Sequence, residues 1–248
     1  MHIILNKKIK VIVITLIVTN VLTAALLIDG NIKAQKQKKL QSVSELKVKK
    51  EYSFRDNIKY IEKLSLCSVY KKHAEIVMMG NSITARVDWS ELLDRNDIVN
   101  RGIDADITEG YLNRMETIYS VNPRICFLMG GINDIAKNIS PDTTIRNIKK
   151  IISGLKQHGI IPVIQSVLYV ADTYPDYLKM NNAVSCLNTG LERVATENNI
   201  RFLDLNKVLS SEKKLIKEYV LSDGIHLKGS GYKMWGTILS ECLSEYGL

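Results

Sequence analysis

The chain has 248 residues, 46% of them hydrophobic and 24% charged, a balance that argues against a disordered chain and suffices for a sizeable core. Its formal charge of +8 is unevenly spread: residues 1–75 hold 15 Lys/Arg against 6 Asp/Glu, and residues 76–248 hold 19 against 20. The body is therefore close to neutral and carries no basic stripe, which argues against a polynucleotide substrate or any nucleic-acid partner.

A short basic N-terminus, residues 1–8, precedes an apolar segment over residues 9–28 that is free of charge from Val11 to Ile28. At about 1.5 Å rise per residue such a helix just crosses a hydrocarbon core of roughly 30 Å. It is long for the apolar part of a cleaved signal peptide, and Thr23-Ala24-Ala25 is a poor cleavage site. A single-pass signal anchor is expected, with secretion after cleavage as the competing reading. Export of the body is the usual layout, although Lys33, Lys36, Lys38 and Lys39 compete with the upstream lysines for the cytoplasmic side. Residues 29–51 read as a lysine-rich linker, suited to anionic headgroups or to solvent.

Residues 52–248 read as one domain. Phe54, Ile58, Ile61, Leu64 and Leu66 have near-helical spacing and predict an amphipathic helix leading into it. Apolar strands are predicted at 74–79, 97–100, 124–129, 160–167 and 200–205. Helices are predicted at 84–93, 108–119, 143–158, 183–198 and 231–244. Strands alternating with helices predict a three-layer α/β/α sandwich around a five-stranded parallel sheet, with ligands at the carboxyl ends of the strands. Cys67, Cys126, Cys186 and Cys242 are scattered and form no disulfide framework; Cys126, inside an apolar run, reads as a buried core thiol.

Four motifs fall at strand ends or before helices. The first, Gly80-Asn81-Ser82-Ile83-Thr84, offers a serine nucleophile at a tight strand-to-helix turn. The second is Asn100-Arg101-Gly102, and the third is Gly131-Ile132-Asn133-Asp134. Backbone N–H groups of Ser82 and Gly102 and the Asn133 amide can donate to a tetrahedral oxyanion. Asp134 suits a helix cap better than catalysis. The fourth is Asp223-Gly224-Ile225-His226, whose spacing lets the carboxylate reach the imidazole Nδ1–H and leaves Nε2 to take the serine proton. Each motif alone is commonplace, as a turn, an N-cap or a structural histidine. No His/Cys/Asp/Glu cluster has metal spacing and no G-x-S-x-G elbow is present, so the reading invokes neither a metal nor a cofactor.

In this order the four motifs resemble the blocks of the SGNH hydrolases, also called GDSL esterases. The chain is similar from about Tyr52 onward to bacterial relatives of platelet-activating-factor acetylhydrolase and to carbohydrate O-acetylesterases. The longer strings that carry this are Gly80–Thr84, Asn100–Gly102, and Asp223–Leu227 with Gly231, Tyr232 and Trp235. The resemblance implies a flavodoxin-like SGNH fold, catalytic Ser82, Asp223 and His226, and an oxyanion hole of Ser82, Gly102 and Asn133. It also implies hydrolysis of a short acyl ester, acetyl on a sugar hydroxyl, so that the partners are a small-molecule or glycan ester and the membrane. The same residues would serve an O-acyltransferase acting on a glycan, or a lysophospholipase-type lipid esterase. Two departures stand out: Asn81 where the family has Asp, and Asp104-Ala105-Asp106, at the expected rim of the acyl pocket, where relatives often carry small residues.

Overall fold

A computed structural model describes Lys7–Glu45, residues 53–70 and residues 72–248. The chain divides into two compact units, Met1–Glu51 and Tyr52–Leu248.

The described residues of the first unit form one helix, α1 (Lys7–Glu45). Within it Thr15–Lys38 is long and apolar enough to cross a membrane, at a mean hydropathy of 1.5. Its threonines fit an apolar helix because their hydroxyls bond inside it: Thr19 Oγ1 donates to Thr15 O and Thr23 Oγ1 to Thr19 O. The lysine-rich stretch expected as a linker continues this helix as far as Glu45. The remainder of that stretch and residues 1–6 lie outside the described residues.

The second unit is a three-layer α/β/α sandwich. Its parallel sheet consists of β1 (Ile76–Gly80), β2 (Ile98–Gly102), β3 (Ile125–Leu128), β4 (Ile161–Gln165) and β5 (Arg201–Leu203), in the order β2-β1-β3-β4-β5. Successive side chains of each strand face opposite layers. Val77, Met79, Cys126, Leu128 and Ile164 enter one core; Ile76, Met78, Ile125, Phe127 and Val163 enter the other. The order reverses between β1 and β3, and the crevice beyond their carboxyl ends is where such sheets bind ligands.

The helices of this unit are α2 (Ile58–Val69), α3 (Ser82–Ala85), α4 (Trp89–Leu93), α5 (Thr108–Asn113), α6 (Glu116–Tyr119), α7 (Ile132–Ala136), α8 (Pro141–Gln157), α9 (Tyr177–Glu197), α10 (Asn206–Leu209) and α11 (Gly229–Glu245). Two predicted helices are broken in two. Residues 84–93 divide into α3 and α4 because Asp88 turns its carboxylate onto the N–H groups of Ser90 and Glu91 and starts a new helix. Residues 108–119 divide into α5 and α6 at Arg114, whose side chain turns into the interior. The apolar face predicted for α2 is also corrected. Tyr60, Leu64 and Cys67 pack inward, and Ile58, Ile61 and Leu66 are exposed. The Tyr60 hydroxyl, which donates to Gly110 O at 3.0 Å, sets that rotation. Between α10 and α11 lies an unpredicted two-stranded hairpin, β6 (Ser210–Ser211) and β7 (Lys214–Leu215). Its turn residues Glu212 and Lys213 both have positive φ, the geometry of a primed hairpin turn without the usual Gly or Asn.

One ion pair is sealed inside this unit. Asp106 and Arg114 meet at 2.8 Å with side chains 0% and 1% exposed. Arg114 also donates to Arg101 O at 2.7 Å and to Gly80 O at 3.1 Å. Burial pushes the Asp106 carboxyl up, and the Arg114 charge and hydrogen bond act against that rise, so Arg114 is what favours the carboxylate here. Asp106 thus belongs to the interior and not to the rim where the sequence suggested it. Removing one member strands the other's charge, whereas replacing both with apolar groups does not. Asp106→Ala should therefore lower unfolding stability by about 3–5 kcal/mol, read from urea denaturation, and Asp106→Leu with Arg114→Met should lower it less than either single change.

Candidate active site

Ser82 opens α3 directly after β1. Asn81 caps this one-turn helix, its Oδ1 accepting from Ile83 N at 2.9 Å. An amide oxygen caps as well as a carboxylate, so the departure from Asp has no structural cost here. Two glycines bring α3 against the sheet. A Cβ at Gly80 would lie 1.9 Å from Thr84 Oγ1, and one at Gly102 would lie 2.4 Å from Ala85 N and 2.8 Å from Thr84 C. Asn100 then ties the turn down, its Nδ2 donating to Thr84 O, Ala85 O and Val87 O at 2.9–3.1 Å. Two further donors bind it from α4 and α11: Trp89 Nε1 to Thr84 O at 3.0 Å and Tyr232 Oη to Ile83 O at 2.7 Å.

His226 arrives from 144 residues downstream, and its Nε2 lies 2.9 Å from Ser82 Oγ. Its Nδ1 lies 2.7 Å from Asp223 Oδ2. The segment carrying both is closed by Leu221 N donating to His226 O at 2.8 Å. It is also held to the loop after β4, where Ala171 N donates to Gly224 O at 2.8 Å. Gly224 has φ of 76° and would place a Cβ 2.8 Å from Tyr174 N, so this turn requires glycine on both counts. Burial would raise the Asp223 carboxyl. The His226 backbone N–H, its imidazole and the Ile225 N–H outweigh that and hold it at about 2. Asp223 is therefore a carboxylate at neutral pH and takes up Nδ1, which leaves Nε2 facing Ser82 Oγ.

Asn133 lies in α7, after β3. Its Nδ2 donates to Asp106 O at 2.8 Å, which leaves the second amide hydrogen for a ligand. Ser82 N–H has no acceptor among the described residues. Gly102 N–H, by contrast, is already engaged: it donates to Asn100 Oδ1 at 2.8 Å. As an oxyanion donor it would first have to leave that acceptor, so the visible role of Gly102 is the close approach of α3 to β2. Asp134 is buried and accepts from Thr108 N and Oγ1 at the start of α5, a capping role for a neighbouring helix and not its own. Arg114, which spans both strand ends beneath the site, is absent from the sequence reading. Asn100 and Tyr232 appear there only within motif strings, without a role.

A family model described as "GDSL-like Lipase/Acylhydrolase family" matches residues 78–234. The isoamyl acetate-hydrolyzing esterase of Saccharomyces cerevisiae is 24% identical over 174 residues, which cover 63% of this chain and 73% of that protein. Among solved structures, a GDSL-like lipase from Bacteroides thetaiotaomicron aligns with a TM-score of 0.66 at 23% identity, over 75% of this chain and 98% of the other. A catalytic mutant of an acetylxylan esterase from Geobacillus stearothermophilus aligns with a TM-score of 0.57 at 17% identity, over 69% and 95%. The structural likenesses establish the fold.

The packing role of Gly102 is open to a direct check. Gly102→Ala keeps the backbone N–H but drives a methyl into the backbone of α3. It should lower stability by about 1–3 kcal/mol and, by displacing Ser82, lower kcat on an aryl ester on the order of tenfold to a hundredfold. Urea denaturation and steady-state kinetics read the two effects; wild-type stability together with wild-type kcat would remove the packing role.

Proposed function

The chain belongs to the GDSL-like lipase/acylhydrolase family and is a carboxylic ester hydrolase, and we propose that it cleaves a short-chain ester, acetyl on a carbohydrate, through a covalent intermediate on Ser82. The observation that carries the catalytic reading is the unbroken chain from Ser82 Oγ to His226 Nε2 at 2.9 Å and from His226 Nδ1 to Asp223 Oδ2 at 2.7 Å. His226 takes the serine proton as Oγ attacks the ester carbonyl. Asp223, held ionised, stabilises the resulting imidazolium. The oxyanion receives the free N–H of Ser82 and the second amide hydrogen of Asn133, and Gly102 N–H joins only by exchanging Asn100 for the oxyanion. With α3 a single turn long, these individual donors rather than a helix dipole supply the stabilisation. His226 then protonates the leaving alcohol, and water repeats the cycle on the acyl-enzyme to release the acid.

The substrate class is supported by the relatives. One hydrolyses isoamyl acetate, and structural neighbours include acetylxylan esterases; both esters carry an acetyl group. On p-nitrophenyl esters of rising chain length the full-length protein should be fastest on acetate, and it should release acetate from acetylated xylan. Ser82→Ala should lower kcat by about 10⁴ or more and abolish labelling by a fluorophosphonate. A rate that rises with chain length would make it a lipid-directed esterase, and full turnover in the variant would remove Ser82 from the mechanism.

The same proposal places the enzyme on a membrane through α1, as an uncleaved anchor with the catalytic unit outside the cytoplasm. It is supported by the length and hydropathy of Thr15–Lys38. The full-length protein should stay in the membrane fraction after washing with high salt and alkaline carbonate, because neither extracts a spanning helix. Protease added to spheroplasts should digest the body. A soluble form beginning near Leu26 would instead mark a cleaved signal peptide.

A further inference from the structure

The outer edge of the sheet carries charges that the ester chemistry does not use. β2 is an edge strand. Beside it lies a cavity of about 610 Å3 whose charged lining is Lys63, Lys72, Arg86, Asp88 and Arg101, with Tyr70 and Trp89 as its aromatic residues. None of Ser82, Asn133, Asp223 and His226 lines it. Four cations thus face one carboxylate, and Asp88 is already committed to the N–H groups that begin α4. Arg86 has an outside partner, Asp104, only at 4.0 Å.

Arg101 is the decisive residue. It is 4% exposed. Its Nε donates to Thr117 O at 3.1 Å, and its guanidinium sits 5.6 Å from the Tyr70 ring centroid. Its two Nη groups have no acceptor and no carboxylate partner among the described residues. They are also not sealed off: the sealed side-chain atoms lacking a partner are Thr84 Oγ1 and Gln165 Nε2. The Nη groups therefore open onto the cavity. Lys63, half-buried on α2, likewise has no hydrogen bond or ion pair among the described residues. Burying charge without a counter-charge is unfavourable, and two such cations share one cavity.

We propose that this cavity binds a phosphate-bearing ligand, with the buried Arg101 and the half-buried Lys63 as the recognition pair and the exposed Lys72 and Arg86 at its rim. A guanidinium presents two parallel N–H donors to a phosphate, and an ammonium adds a point charge. A multiply charged tetrahedral anion answers an excess of cations better than a single carboxylate does. Burial and the neighbouring Arg101 and Arg114 charges lower the Lys63 pKa, and an anion in the cavity reverses that penalty. The site is separate from the ester chemistry and does not rest on it.

The phosphate can be that of a soluble metabolite or of a lipid headgroup, and two probes separate these sources. The full-length protein in an uncharged detergent is titrated by calorimetry at constant ionic strength. The probes are sodium pyrophosphate, dihexanoyl phosphatidylglycerol below its micelle concentration, and malonate as a non-phosphate dianion. Pyrophosphate should bind more tightly than malonate. Arg101→Met and Lys63→Met should each weaken it by about tenfold or more, with Lys149→Met on α8 as an unaffected control. Arg101 is buried and its replacement risks unfolding, so Lys63→Met, at a half-buried position, keeps the test readable. Binding of the lipid alone, lost in the same variants, supports the proposal and identifies a headgroup. No binding of either phosphate probe, equal binding of malonate, or binding untouched by Lys63→Met overturns it.

Discussion

The buried Asp106–Arg114 pair is the constraint on which the site depends. Arg114 caps the carbonyls of Gly80 and Arg101, the carboxyl ends of β1 and β2, from below. Asp106 neutralises it and, through its own carbonyl, receives the Asn133 amide. One ion pair therefore connects the segments that carry Ser82, Gly102 and Asn133. A parallel sheet leaves its strand ends with carbonyls that water would satisfy at a surface. Here they lie under the crevice that holds Ser82, where an unpaired acceptor is costly. A guanidinium answers two carbonyls and a carboxylate at once, which an uncharged side chain of that size cannot do.

Above this base Ser82, the proposed nucleophile, is set by close packing. Gly80 and Gly102 let the α3 turn approach the sheet to a distance at which any Cβ would collide, and Asn100, Trp89 and Tyr232 bond its carbonyls. Ser82 is thus fixed by four surrounding segments, although its own helix is only one turn long. His226 is fixed differently, by a local turn around Asp223 and by the anchoring of Gly224 to the loop after β4. The two halves are rigid for separate reasons and meet at 2.9 Å. That is the preorganisation a proton transfer in the transition state requires.

Asn100 and Ala85 belong both to the α3 clamp and to the wall of the basic cavity. The edge strand thus has the α3 turn packed at its carboxyl end and the cation cluster along its outer edge. The cluster draws on α2, β2, the segment between α3 and α4, and the segment before β1, so no sequence window contains it.

Much of this was legible in the sequence because it is local. The alternation of apolar strands and amphipathic helices reflects periods of 2 and 3.6 residues, and all five strands of the sheet fall where the apolar runs lie. Asp223 and His226 sit three residues apart, so their contact follows from spacing. The α1 segment is apolar by composition alone. The misreadings have a common cause, which is that neighbours distant in the chain decided them. The α2 face turned because Tyr60 finds Gly110 O, and the 108–119 helix broke because Arg114 finds Gly80 and Arg101. The sequence by itself determined the chemistry available: a serine, an acid-oriented imidazole, an amide and a short list of strand ends. Only the tertiary structure decided which N–H groups already have acceptors, how closely α3 approaches Gly80 and Gly102, and that cations gather beside β2, because hydrogen-bond partners and buried charge are settled by contacts across the chain and not along it.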